Sequence, residues 1–258
     1  MALRQNLHIF AENIGLTLKQ FEQMKYLVLP NHRERRLSFY LALEEYAARQ
    51  LGESELFFMW QVAPTVIFGR NQQLESEVNV SFCKEHGIQM FRRKSGGGCV
   101  YADEGNVMLS FITSGDNVGF TFNQFIGMLI LVLRKLGVEA VGTAHNDVMI
   151  GDRKVSGTAY YQLPGRSIVH GTMLYDTRMD YMLGALTPSQ SKLQSKGIQS
   201  VRQRITLLKD HISLSLEEFK AFVRTTLCDG ELELTEADVR AVEQLEQSYL
   251  SEAFIKKM

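Results

Sequence analysis

The stretch Asp147-Val148-Met149-Ile150-Gly151-Asp152-Arg153-Lys154-Val155-Ser156 decides how this chain is laid out. Gly151-Asp152 is a strong turn pair between runs that read as strands, and a two-residue loop joins two strands antiparallel. On that register Ile150 pairs with Arg153, Met149 with Lys154, Val148 with Val155 and Asp147 with Ser156. Side chains alternate along a strand, so Asp147, Lys154 and Ser156 are expected on one face, with Asp147 diagonal to Lys154 at roughly 7 to 8 Å between backbones. A lysine tip covers that distance. An ammonium held beside a carboxylate stabilises negative charge developing on a ligand by electrostatics, without nucleophilic attack. A solvated hairpin with an exposed ion pair is the plain alternative. Leu163-Pro164-Gly165-Arg166 is the next strong turn, and the strand-like run Ser167 to Tyr175 follows it, so the hairpin extends into an antiparallel meander.

Strands and helices alternate outward from the meander. Tyr26 to Leu29, Leu56 to Val62, Thr65 to Gly69 and Val107 to Ile112 read as strands, with Ala63-Pro64 breaking the second from the third. A helix is predicted from Ser38, as N-cap, to Leu51, where Gly52 stops it. Asn79 opens a short helix that ends at Gly87. Thr121 is read as the cap of a longer helix, whose apolar face runs through Phe122, Phe125, Ile126, Leu129, Ile130 and Leu133 to Gly137. Beyond the meander, 176–187 is helical up to Pro188, and 215–228 and 235–250 are amphipathic helices. This predicts an α+β fold, a mixed and largely antiparallel sheet packed with helices. Residues 1–25 read as an N-terminal extension and 26–258 as one domain.

Upstream of the meander stands Arg92-Arg93-Lys94-Ser95-Gly96-Gly97-Gly98-Cys99-Val100-Tyr101, between two apolar-rich runs. Successive glycines remove every Cβ, so backbone N–H groups approach a ligand closely, and guanidiniums fork onto a carboxylate or phosphate. Neither the phosphate loop of nucleotide triphosphatases nor the dinucleotide fingerprint has this spacing. A plain loop between strands is the alternative. His170-Gly171-Thr172 places a glycine inside a strand, which weakens the strand unless a ligand or another backbone needs the space. His170 taken alone reads equally as a hydrogen-bonded core histidine. Lys192, Lys196-Gly197-Ile198, Ser200-Val201-Arg202 and Arg204 gather cations in a segment of weak periodicity, either a lid over an anionic ligand or a solvated loop.

Composition narrows the partners. With 258 residues, a formal net charge of −1 and a sequence pI near 6.6, nothing global steers the chain to nucleic acid or an anionic membrane. Cys83, Cys99 and Cys228 are an odd set at wide spacing, neither a disulfide framework nor a zinc pattern, which predicts a cytoplasmic protein. No basic segment followed by an apolar run opens the chain, and the most apolar run, Phe125 to Leu133, is too short to span a bilayer.

Taken in order, these pieces resemble the lipoate-protein ligase A family, within the wider biotin and lipoyl ligase fold that is itself similar to class II aminoacyl-tRNA synthetases. The resemblance runs from about Tyr26 to Tyr249. It includes Leu41-Ala42-Leu43-Glu44-Glu45-Tyr46, Trp60-Gln61, Pro64-Thr65-Val66, Gly69-Arg70-Asn71-Gln72, the arginine and glycine loop, Asp103 with Gly105-Asn106, and Asn146-Asp147. It continues through Lys154, Ser156-Gly157, His170-Gly171-Thr172 and the segment from Lys196 to Arg204, which resembles the family's adenylate-covering loop. The resemblance implies a lipoate-protein ligase: lipoate and ATP give lipoyl-adenylate and pyrophosphate, and the lipoyl group then passes to a lysine of a lipoyl domain. Mg²⁺ accompanies the ATP, and no tightly bound metal is expected.

On this resemblance Lys154 is the catalytic residue, binding the lipoate carboxylate and the α-phosphate. Arg93 takes the carboxylate or phosphates, and Gly98, Cys99, Val100 and Tyr101 take the nucleotide by backbone. Asn146 and Asp147 position the adenylate or its metal. Arg70, Ser95, Gly96, Gly97, Gly157, Thr158, His170, Gly171 and Thr172 complete the expected binding set, and Phe68, Val100 and Val155 read equally as walls for the dithiolane and its chain or as core residues. The acceptors implied are lipoyl domains of 2-oxoacid dehydrogenase or glycine cleavage proteins. Ala102 departs from a frequent histidine, Cys99 from a frequent alanine and Leu207 from a common asparagine. Many members continue into a C-terminal accessory domain that supports adenylation. This chain is expected to lack one and to use a separate accessory subunit.

The rival within the same fold is an octanoyl or lipoyl transferase working through a cysteine thioester without ATP. Its nucleophile would lie near Ala144-His145-Asn146, where this chain has no cysteine. A biotin ligase fits less well, since its loop alternates glycine and arginine. A non-enzymatic acyl-protein binding module would release no pyrophosphate.

Overall fold

The computed structural model describes residues 24–53, 55–115, 117–186 and 204–256. The expected extension up to residue 23, and the cations Lys192, Lys196 and Arg202, lie outside them.

The central layer is a sheet of strands β1 (Met24–Val28), β2 (Glu55–Trp60), β6 (Asn106–Ser114), β7 (Ala140–Gly142), β8 (Asp147–Ile150), β9 (Arg153–Leu163), β10 (Arg166–Leu174) and β11 (Gly230–Glu233). Its spatial order is β11-β1-β2-β6-β10-β9-β8-β7, parallel at β11-β1-β2 and antiparallel from β2 onward. A smaller sheet sets β3 (Thr65–Phe68) between β4 (Gln89–Arg92) and β5 (Val100–Ala102). The mixed, largely antiparallel sheet is thus as expected. What the sequence concealed is the division, because Ala63-Pro64 carries the chain from one sheet into the other.

Alternation along the central strands feeds two cores. On β6, Val107, Leu109 and Phe111 pack beneath α4 (Val118–Lys135) and α6 (Leu216–Leu227). Met108 and Ile112 face the opposite way, beneath α1 (Leu37–Gln50) and α7 (Glu236–Leu250). Helices α2 (Leu74–Glu77), α3 (Val80–Glu85) and α5 (Met179–Ala185) lie along the chain around the small sheet, and Cys83, Met182 and Ala185 share a core with its Val66 and Tyr101. By length and composition α4 is apolar enough to cross a bilayer, but 56% of it is buried within the protein, as befits a core helix.

Capping follows side-chain chemistry with two corrections. Ser215 and Thr235 each close a capping box, with Glu218 and Asp238, where the helices from 215 and 235 were expected. Asn79 caps α3 through Phe82 N. Ser38, however, lies inside α1, fully buried, and donates to Glu246 Oε1 at 2.5 Å, so it serves packing between α1 and α7. Asn117, one turn before the expected Thr121, caps α4 by accepting from Phe120 N at 3.0 Å.

The deciding hairpin also departs from its expected register. Ile150 pairs with Arg153 and Met149 with Lys154, but a bulge follows, and Val148 then faces Ser156 and Asp147 faces Gly157. Val155 is the extra residue. Both Val155 and Ser156 are fully buried, so Ser156 does not share the polar face with Asp147 and Lys154. Its Oγ has no hydrogen-bond partner among the described residues.

Candidate active site

The bulge builds the polar centre. With Gly157 opposite Asp147, nothing stands between the two strands, and Lys154 folds over the gap to place Nζ 2.7 Å from Asp147 Oδ1. A Cβ at position 157 would lie 2.5 Å from that Nζ. Both members stay partly open to solvent, the Lys154 side chain at 37% and Asp147 at 27%. The backbone of Lys154 is fixed as well, because its carbonyl accepts from Thr206 N at 2.9 Å.

Asn146 enters this hairpin with φ +62°, in the left-handed region that asparagine tolerates. Thr158 Oγ1 donates to its carbonyl at 2.6 Å, which ties the turn to β9. Thr143 Oγ1 accepts from His145 N and Asp147 N at 3.2 and 3.3 Å. The turn thereby carries His145 to the rim of a cavity.

That cavity, about 230 Å³, lies between the small sheet and β9-β10. Its wall is apolar, made by the buried Leu41, Trp60, Ile67 and Met108 and the partly buried Val100. Lys154, Asp147, His145, Gly157, Thr158 and Ala159 line it on the hairpin side, and His170, Gly171 and Thr172 on β10. The remaining lining comes from Arg93, Gly97, Gly98 and Cys99 of the glycine loop. Gly171 is needed where it stands, since a Cβ there would meet Phe125 at 2.9 Å and Gly157 O at 3.2 Å.

The paired arginines hold the loop by its carbonyls. Arg93, buried, donates from Nη1 to Ile67 O at 3.0 Å and from Nη2 to Gly96 O and Gly98 O at 2.7 and 2.6 Å. Burial pulls its guanidinium down to about 10, still charged at neutral pH. Arg92, also buried, donates from Nη1 to the carbonyls of Gly69, Arg70 and Gln72, and from Nε to Ile255 O at 3.0 Å. The fork expected on an anion is thus engaged with backbone in this state, although Arg93 also lines the cavity. Gly97 takes φ +86°, and Gly69 approaches so closely that a Cβ there would sit 2.3 Å from Gly97 O.

Most of the expected residues converge on one cavity: Arg93, Gly97, Gly98, Cys99, Val100, Asp147, Lys154, Gly157, Thr158, His170, Gly171 and Thr172. Ser95, Gly96 and Asn146 stand behind the lining and hold it through hydrogen bonds. Arg70 is exposed outside the lining, its N–H bonded to Ser95 O at 2.9 Å. Tyr101 is fully buried in register with Val66 and contributes nothing to the wall. Of the three residues read as either acyl-chain wall or core, Val100 lines the cavity, while Phe68 and Val155 are core residues at 0% exposure. The rest of the wall is built by Leu41, Trp60, Ile67 and Met108, which sequence reasoning missed. Trp60, the sole tryptophan, was the available signal.

Burial pushes the Cys99 thiol up to about 12 despite the nearby Arg93, the reverse of what a thiolate nucleophile needs. Among the described residues no group of three or more His, Cys, Asp or Glu side chains could hold a metal ion.

Comparison with known proteins fits this geometry. Residues 37–228 match the family model of the lipoyl protein ligase A/B catalytic domain. Lipoate-protein ligase LplJ of Bacillus subtilis (strain 168) is 35% identical over 216 residues, covering 80% of this chain and 65% of its own length. Lipoate-protein ligase 1 of Staphylococcus aureus (strain Mu50 / ATCC 700699) is 37% identical over 214 residues, with the same 80% and 65% coverage. The chain therefore spans just under two thirds of the length of these curated relatives. Among solved structures, a bi-partite lipoate protein ligase with its E2 lipoyl domain, from Thermoplasma acidophilum, superimposes with a TM-score of 0.79 at 26% identity, over 91% of this chain and 96% of that one. A lipoate-protein ligase A bound with ATP gives 0.77 at 26% identity, over 90% and 98%.

Proposed function

Because the chain belongs to the lipoyl protein ligase A/B catalytic domain family, we propose that it activates lipoate with ATP and transfers the lipoyl group to a lysine of a lipoyl domain. One observation carries the reading: a single cavity joins a buried apolar wall to a half-exposed ammonium and to a glycine loop held by its carbonyls. An acyl chain fits the wall, its carboxylate the ammonium, and phosphates the loop.

In the first step a carboxylate oxygen attacks the α-phosphorus and the bond to pyrophosphate breaks. Negative charge passes from the carboxylate to the leaving phosphates, and Lys154 is placed to stabilise it without forming a bond. In the second step the neutral acceptor amine attacks the acyl carbon, AMP leaves with the bonding electrons, and the nitrogen gives up its proton to solvent. Mg²⁺ arrives with the nucleotide as part of the substrate, screening phosphate charge. Three cysteines that are all free suit a reducing cytoplasm.

The acceptors are lipoyl domains of 2-oxoacid dehydrogenase or glycine cleavage proteins, a reading supported by the E2 lipoyl domain accompanying the Thermoplasma ligase. The bi-partite build of that ligase also supports a second small polypeptide that assists adenylation here. On that basis the purified chain with lipoate, ATP and Mg²⁺ releases pyrophosphate slowly, yet transfers a supplied lipoyl-adenylate readily. Rapid release without any partner would remove the accessory subunit. The ligase reading itself is tested by mass spectrometry of an acceptor domain: a lipoyl mass increase that requires ATP is expected. ATP-independent transfer from an octanoyl carrier protein would establish the transferase instead.

A further inference from the structure

Five side chains form one hydrogen-bonded chain directed at a single buried carboxylate. Trp60 Nε1 donates to Ser110 Oγ at 2.8 Å, and Ser110 Oγ donates to Glu44 Oε1 at 2.5 Å. From the other side His170 Nδ1 lies 2.9 Å from Glu44 Oε2. A carboxylate only accepts, so Nδ1 carries a proton toward Glu44, and Nε2 on the other side of the ring is hydrogen-bonded to the Ser95 hydroxyl at 2.8 Å. Every member is buried, from 0% exposure at Ser110 to 8% at His170. Trp60 and His170 line the cavity, whereas Ser95 belongs to the glycine loop. Displacing one donor leaves the buried carboxylate short of a partner, at the cost of its desolvation, so such a network has few alternative arrangements.

We propose that the apolar cavity and the glycine loop are linked binding sites, coupled through Glu44, so that an aliphatic carboxylic acid seated between Trp60 and His170 tightens the site for a nucleoside triphosphate. The inference rests on the ligase reading for the identity of the two ligands. An acyl chain against Trp60 and His170 restricts both rings, and the His170 ring holds Ser95. The loop then has less freedom left to lose when the nucleotide arrives. Linkage requires that the nucleotide tighten the acid by the same factor. Glu44, Ser95 and Ser110 act here as positioning residues.

Titration calorimetry on the full chain tests this, with Mg²⁺ and α,β-methylene-ATP, whose α–β linkage cannot be cleaved, in the presence and absence of lipoate. The ratio of the two nucleotide dissociation constants should be about tenfold. Whatever Ser95→Ala does to either ligand alone, that ratio should fall to about one. Ser95→Thr, which keeps the hydroxyl, should retain it, and Ser110→Ala, remote from the loop, should lower it. A ratio of one in the unsubstituted chain, with both ligands binding, overturns the coupling and leaves the ligase reading standing. An undiminished ratio in both alanine variants overturns the route through Glu44. Failure to bind either ligand overturns the ligase reading and the coupling with it.

Discussion

Lys154 is placed by three things at once: Asp147 holds its Nζ at 2.7 Å, Gly157 leaves the space beneath it, and Thr206 fixes its carbonyl. Lys154→Met removes the ammonium while keeping a chain of similar length, so the fold should survive and lipoyl-adenylate formation should fall by ~10² to 10³. Lipoyl-AMP appearance in single turnover measures this, and an unchanged rate would take Lys154 out of the mechanism. Cys99 is the contrasting case, since it lines the same cavity with a thiol that burial holds protonated. Cys99→Ala should therefore keep ATP-dependent lipoylation within about twofold, whereas a trapped thioester at Cys99 would revive the transferase. Both residues stood out in the sequence, Lys154 by its hairpin and Cys99 by its loop. The contact between Lys154 and Asp147 was foreseen, but the geometry producing it was not. The expected two-residue hairpin had no bulge, and nothing in the β-branched run marks Val155 as the extra residue.

At the scale of elements, the loop between β4 and β5 shows how a pattern can be read correctly in place and differently in role. Two arginines beside three glycines suggested forks aimed at an anion, yet both guanidiniums are buried and bonded to carbonyls. The reason lies in Gly69, which lets the β3 end pack against Gly97 and brings carbonyls of two segments, Ile67 and Gly98, within reach of the one Arg93 fork. That proximity is tertiary, and no local spacing announces it. Arg93→Lys keeps the charge but loses the planar fork on Ile67, Gly96 and Gly98. Stability should drop by about 2 kcal/mol, seen as a melting temperature lower by about 4 to 8 °C. KM for ATP should rise, since the loop is no longer held. An unchanged melting temperature with weakened lipoate binding would instead assign Arg93 directly to the ligand. The acyl-chain wall was illegible for a related reason: Leu41 and Trp60 reach it from α1 and β2, far apart in sequence, while Phe68 turns into the core.

Across the whole molecule, the C-terminal helices reach back to the base of the glycine loop. Tyr249 OH donates to Glu45 Oε2 at 2.9 Å, Lys94 Nζ binds the same oxygen at 2.6 Å, and the Lys94 ammonium sits 4.4 Å above the Tyr249 ring. Arg92 adds the second tie, from Ile255 O in α8 (Glu252–Lys256) to the carbonyls of Gly69, Arg70 and Gln72. The amphipathic periods of α1 and α7 announced that both helices pack on a core, but not that α1 would carry Glu45 to a lysine in the loop. Because Arg92 ties backbone of two separate segments, 69–72 and the C-terminal helix, its loss should act on loop position more than on the acyl wall, to which it contributes nothing. Arg92→Lys retains one charge but cannot span Ile255 and Gln72 together. On the proposed function, pyrophosphate release should slow by about tenfold or more, on the order of 1.4 kcal/mol or more in the barrier. Transfer from supplied lipoyl-adenylate should change less. The two rates measured on one preparation separate these outcomes: an equal fall in both would mean a general loss of folded protein, and no fall in either would leave the C-terminal helices without a hand in catalysis.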